Sequence, residues 1–160
     1  MPRQRTREDI YDSCLAEGML RNIDEVNRER IKSMMQNADT SLDSAKTLSK
    51  SLPNNDRRWM NVYTLHYDAL HLYTEALLMF SRVVSENHQC LFAALCAKRP
   101  DLELEWDFFE RIRTARNGIN YYGKYVGFKE WKEVEVQFTV YLSTLKNAIE
   151  KEFQSETVLT

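Results

Sequence analysis

Residues 101–124 read DLELEWDFFERIRTARNGINYYGK, and the reading of this stretch decides the fold. At about 100° per residue, Leu102, Trp106 and Phe109 share one side of a helix with Arg113, Arg116, Asn117 and Asn120. Leu104, Phe108, Ala115 and Ile119 form a second apolar line, leaving only a strip around Glu103, Asp107, Glu110 and Thr114 for water. A helix that is apolar on two sides must pack against two neighbours, so the stretch predicts a helical bundle. Its first stripe turns from aromatic to cationic, which a pure core stripe does not do. Arg111, Arg113, Arg116 and Lys124 follow one another with no acid between them, although the chain as a whole carries 22 basic and 24 acidic residues. Cations near a helix C-terminus also favour its dipole, so simple capping is the competing reading. The local reversal of charge points instead to an anionic partner.

Working outward, 160 residues are enough for one domain with its own core, and a single domain over residues 1–160 is expected. The near balance of charge excludes a global field for nucleic acid or membrane, so any such binding is local. Cys14, Cys90 and Cys96 are odd in number and lie in helical sequence without a secretory signal before them, which predicts a reducing cytoplasm, with Cys90 and Cys96 as packing residues. Apolar runs are short and interrupted by charge, so no membrane-spanning helix is expected.

Four glycines and three prolines leave nearly everything else free to be helix, and no alternation of the strand type is present. A loose basic arm over residues 1–7, with Arg3, Arg5 and Arg7, precedes a short helix from Glu8 to Leu20. Asn22 or Asp24 can cap a second helix whose stripe is Ile31, Met34, Met35, Ala38, Leu42, Ala45, Leu48 and Leu52, ended by Pro53. The third helix, Asp56 to Ser85, carries a broad apolar arc and is expected at the centre. His66 falls within that arc as a core histidine, whereas His71 falls on its polar side with Asp68 and Glu75. Asn87 starts a short helix, His88 to Ala97. Asp101 caps the organising helix, Gly123 stops it, and a last helix runs from Phe128 to Phe153, with residues 155–160 disordered. The expected fold is all-α: an up-and-down antiparallel bundle of four long helices plus one or two short ones.

No phosphate-binding glycine loop, serine elbow, two-histidine metal motif or carboxylate pair occurs, so no metal site and no cofactor are expected. The five-residue gap between Cys90 and Cys96 does not supply a tetrahedral zinc set.

Three segments together resemble the HEPN domains (higher eukaryotes and prokaryotes nucleotide-binding). These are Tyr67-Asp68-Ala69 through Glu75-Ala76-Leu77-Leu78, the short helix beginning Asn87-His88, and Arg116-Asn117 near the end of the following helix. The resemblance spans Glu8 to Phe153. It implies a homodimer whose interface joins two copies of an arginine-containing motif in a metal-independent RNA-cleaving cleft. The histidine that active members carry shortly after the arginine is absent, since the window after Arg116 holds Tyr121, Tyr122 and Gly123.

Cleavage through the RNA 2′-hydroxyl needs groups that exchange protons near neutral pH, which asparagine cannot do and an ordinary tyrosine, titrating near about 10, does poorly. Recognition survives that loss, because guanidinium groups bind phosphate, amides bind base or sugar edges and tyrosines stack on bases. The leading expectation is therefore a dimer that binds RNA, a nucleotide or a nucleotidyltransferase partner through Arg111, Arg113, Arg116, Asn120 and Lys124. An endoribonuclease of toxin type, using Arg116 and Asn117 with Tyr121 or His88 in place of the histidine, is the enzymatic alternative. A structural helical adaptor, with the polar cluster closing a helix end and a dimer seam, is the third reading.

Overall fold

The computed structural model describes residues 1–158, with side-chain surroundings through Ser155. The elements in order are α1 (Arg7–Ala16), β1 (Arg21–Asn22), α2 (Arg28–Ser49), α3 (Trp59–Phe80), β2 (Val83–Val84), α4 (His88–Lys98), a 3-10 turn (Pro100–Leu102), α5 (Trp106–Tyr122) and α6 (Phe128–Val158). The all-α bundle of four long and two short helices is the architecture found.

Helix α3 is the axis, packing against α2, α4, α5 and α6. Its face Tyr63, Tyr67, Leu70, Tyr73 and Leu77 is almost wholly removed from water, and burying side chains of this size contributes about 1.5–3 kcal/mol each before entropy is counted. Helix α6 runs parallel to it: Trp59 meets Phe128 with ring centroids 4.8 Å apart, Tyr63 meets Phe138 at 5.7 Å, and Phe80 meets Phe153 at 5.1 Å. Helix α5 runs antiparallel to α6, because the Glu105 N–H donates to the Tyr141 hydroxyl (2.7 Å) while Arg111 pairs with Glu133 (2.7 Å). Consecutive long helices thus alternate in direction. Asp39 of α2 accepts from both Tyr73 of α3 and Lys146 of α6, joining three helices at one carboxylate.

Several expectations shift. Asn27, not Asn22 or Asp24, caps α2, accepting from the Arg30 N–H (2.9 Å). Residues Arg21–Asn22 instead pair antiparallel with Val83–Val84, a two-rung ladder too short to show as alternation in sequence. Arg82, at φ 59°, turns the chain out of α3 into that ladder, so α3 ends at Phe80 rather than Ser85. The organising helix begins at Trp106. Pro100 and Asp101 lie in the 3-10 turn and Glu103 sits at φ 53°, so Asp101 caps nothing in α5. Gly123 stops α5 as expected, at φ 61°, and the Lys124 N–H closes back on the Gly118 carbonyl (3.0 Å). Helix α6 extends to Val158, and the disorder expected over residues 155–160 falls almost wholly outside the fully described residues. The basic arm is shorter than expected, since a Thr6–Asp9 capping box starts α1 at Arg7.

The packing role expected for Cys90 is also revised: it forms a disulfide with Cys14, Cα–Cα 5.7 Å, across a sequence separation of 76. It ties α1 to α4 within a small apolar cluster of Ile10, Cys14, Cys90 and Ala93. A cysteine count cannot reveal this, because pairing depends on how the two helices meet. Cys96 remains a packing thiol, and burial pushes its titration up to about 12. Among the described residues, no helix is long and apolar enough to cross a membrane.

Candidate Arg116 anion site

Three helices bring one polar cluster together. Along α3, Tyr67, His71 and Glu75 stand at successive i, i+4 positions on one face, and Asp68 is half-buried beside Tyr67. Helix α4 contributes His88 and Gln89 from its first turn. That turn is held in place by Asn87, whose Oδ1 accepts from the Cys90 N–H (3.0 Å), and by the buried Ser85, whose Oγ accepts from the Asn87 N–H (3.1 Å) and donates to the Met19 carbonyl (2.7 Å). Helix α5 contributes Glu110, Arg113 and Arg116.

The arginines differ in how their donors are used. Arg111 is committed to Glu133, and Arg113 grips Glu110 with Nε to Oε1 at 2.9 Å and Nη2 to Oε2 at 3.1 Å. Gln89 also donates to Glu110 Oε2 (3.0 Å), tying α4 to α5. Arg116 is different. Its guanidinium lies over the Tyr67 ring, 5.4 Å from the centroid, and its Nε, like His71 Nε2 beside it, is buried with no hydrogen-bond partner among the described residues. Buried donors are nearly always satisfied, so an orphan on a charged group calls for a ligand, water or ion.

Tyr67, wholly buried, is shared between that guanidinium and His88, whose Nδ1 lies 2.8 Å from the tyrosine hydroxyl. His88 in turn stacks on His71, ring centroids 3.8 Å apart. Burial holds the Tyr67 phenol well above the usual range despite Arg116 and Arg113. Burial, then the neighbouring His88 and Arg116, depress His71 to about 3. Burial, then Arg116 and Arg113, also lower His88. The phenol therefore keeps its proton and both imidazoles are neutral around pH 7. On these terms the cluster is a fixed guanidinium with unused donors, backed by neutral groups able to accept a proton if negative charge arrives.

The sequence-predicted residues divide. Arg116 and Arg113 enter the cluster, and His88, the alternative proton carrier, lies beside them. Asn117 is half-buried on the next face of α5, while Asn120 and Lys124 are exposed at its end. Tyr121 is 71% exposed and projects about 140° around the helix from Arg116. Within one chain it therefore does not share Arg116's face. His66 is the core histidine expected, its Nδ1 2.7 Å from the Val62 carbonyl and its ring on Trp131. His71 is corrected: instead of facing solvent, its side chain is only 16% exposed. Tyr67, Gln89 and Glu110 were missed. The repeat of Tyr67, His71 and Glu75 was visible, but its proximity to His88 and Arg116 was not.

A cavity of about 730 Å³ adjoins the cluster at Gln89 and Glu110, and Arg5, Thr6 and Arg7 form its opposite wall. No group of three or more His, Cys, Asp or Glu side chains is placed to hold a metal among the described residues. No family model matches this chain, and no curated protein matches it either.

Proposed function

We propose that this chain is a HEPN-like helical protein that acts as a homodimer and binds RNA phosphates at Arg116. The observation that carries the reading is the buried Arg116 Nε without an acceptor, next to two arginines whose donors are already engaged by acids. A guanidinium supplies parallel donors matched to phosphate oxygens, and such charge-assisted bonds are worth about 1.5–3 kcal/mol. Exposed Asn120, on Arg116's side of α5, offers a further polar contact, and Tyr121, Tyr122 and Lys124 offer stacking and cationic contacts at the helix end, off that face. The proposed setting is the cytoplasm; a Cys14–Cys90 bond found intact in protein from cells would speak for an oxidising compartment instead.

The test joins light scattering after gel filtration to binding of single-stranded RNA at two salt concentrations. A dimer with Arg116-dependent, salt-sensitive binding supports the reading. A monomer sinks the dimer, and the absence of RNA binding together with co-purification of a partner protein favours the adaptor reading.

A second reading, metal-independent RNA cleavage, is favoured by one observation: His88 is held by Tyr67, which Arg116 also covers. A histidine beside a phosphate-binding arginine is the proton carrier that the window after Arg116 lacks. Cleavage without added metal that disappears in His88→Gln supports it.

A further inference from the structure

Arg116 and His88 both contact the same buried phenol, one over its ring and the other at its hydroxyl. The guanidinium stands 5.4 Å from the Tyr67 centroid, and the imidazole Nδ1 lies 2.8 Å from the hydroxyl. Tyr67 has no other hydrogen-bond partner, so its proton goes to His88 Nδ1, which leaves the His88 proton on Nε2. A neutral His88 therefore offers its N–H donor at Nε2, away from Tyr67, on a half-buried side chain.

We infer that His88 is the second anion-contacting residue of the Arg116 site, and that it takes up one proton from solvent when an RNA phosphate binds there. The inference rests on the binding reading. The charge balance is simple: neutral His88, one proton and a phosphodiester of single negative charge give a bound pair of imidazolium and phosphate, with no bond to phosphorus made or broken. On protonation both ring nitrogens donate, Nε2 toward the phosphate and Nδ1 to the Tyr67 oxygen, at the cost of the Tyr67 hydrogen losing its acceptor.

Every titratable or charged group around His88 fits a single added proton. On α3 these are Tyr67, Asp68, His71 and Glu75, and on α5 they are Glu110, Arg113 and Arg116. Stacking at 3.8 Å makes a second imidazolium on His71 unfavourable, so the histidine pair holds one proton rather than two. Glu110 is engaged by Arg113 and Gln89 and Glu75 feels Arg30 of α2, so the acid that feels Arg116 is the half-buried Asp68, which an incoming phosphate would have to outcompete. In the empty site the two arginines oppose charge on His88, and an incoming phosphate removes that opposition.

The experiment uses the full chain and a short oligouridylate. Calorimetric titration near neutral pH, in two buffers of different ionisation heat, counts protons; uptake approaching one per site is expected. Affinity should rise up to about tenfold per pH unit as pH falls from about 8 toward about 6. His88→Gln should flatten that profile while leaving measurable binding, and Arg116→Ala should weaken binding by about 10–100-fold at every pH. The His88 ring signals, followed by NMR in the wild-type chain, should titrate at higher pH with RNA than without. Arg116-dependent binding with no proton uptake and a flat profile overturns the inference and leaves the binding reading standing. Binding that does not depend on Arg116, or none at all, overturns both.

Discussion

The His71 and His88 rings stack with their centroids 3.8 Å apart, one from the middle of α3 and the other from the first turn of α4. This pairing converts two unremarkable polar positions into an enclosed unit. It also sets two imidazoles beside Arg116, whose charge helps to lower both, whereas Tyr121 lies exposed near the end of α5.

The arginines should separate sharply on substitution. Arg116→Ala is expected to weaken RNA binding by about 10–100-fold, the loss of one charge-assisted contact, with nearly unchanged helix content. Arg111→Ala, whose parent side chain is half-exposed and paired with Glu133, should change affinity by only a few fold. Equal losses in the two variants, measured by fluorescence anisotropy, would mean a diffuse electrostatic surface rather than a site.

Salt dependence counts phosphate contacts. Because Arg111 and Arg113 already pair with acids, the slope of log affinity against log salt should match one to three contacts, about −0.7 each on a single strand. A slope corresponding to five or more would require those ion pairs to break on binding.

Any metal-independent ribonuclease activity should follow His88 and not Tyr121. His88→Gln is expected to lower single-turnover cleavage by about 10²-fold or more, the usual contribution of a general acid or base, whereas Tyr121→Phe should leave it within a few fold. Loss of cleavage in Tyr121→Phe would return the proton chemistry to the end of α5.

Acid should destabilise the fold through its histidines. His71 titrates at about 3 in the folded chain against about 6.5 when unfolded. The unfolded state thus binds more protons between those values, so the stability from neutral His71 is complete above about 6.5 and is lost as pH falls toward 3. The slope is about 1.4 kcal/mol per pH unit at most for this one group. His66 and His88, both lowered by burial, act in the same direction, while the raised Asp68 and Glu75 act oppositely at lower pH. Melting temperatures of wild type and His71→Gln at about pH 7 and about pH 5 isolate the effect: the wild type should lose more.

Reduction of Cys14–Cys90 should loosen α1 before the bundle. The disulfide joins α1 to α4 through a cluster whose buried part is only Ile10, Cys14, Cys90 and Ala93. Cys14→Ser is expected to cost about 2–4 kcal/mol, and amide exchange should accelerate in α1 while α3 stays protected. Uniform acceleration across both helices would show that α1 belongs to the same cooperative unit as the core.

The sequence by itself determined the helices and their apolar faces, because the spacing of Ile31, Met34 and Ala38, or of Trp131, Val134 and Phe138, is a local property of a helix with one buried side. It also marked Asn87 as a cap, Gly123 as a stop and Arg116 as a cation set apart from acids. Boundaries at Trp106, Phe80 and Asn27 escaped it, since the positive φ of Glu103 and Arg82 and the ladder of Arg21–Asn22 with Val83–Val84 arise from contacts between distant segments. Only the tertiary structure decided which polar residues meet. His71 faces water on a helical wheel, yet α4 crosses that face and encloses it. Arg113 meets Glu110 one turn back on α5 itself, but only the positions of Glu133 and Tyr67 on folded neighbours set Arg111 apart from Arg116 and leave Arg116 with donors to spare. Periodicity reports which side of a helix is buried; it carries no information about the side chain that buries it, and the character of this site rests on that side chain.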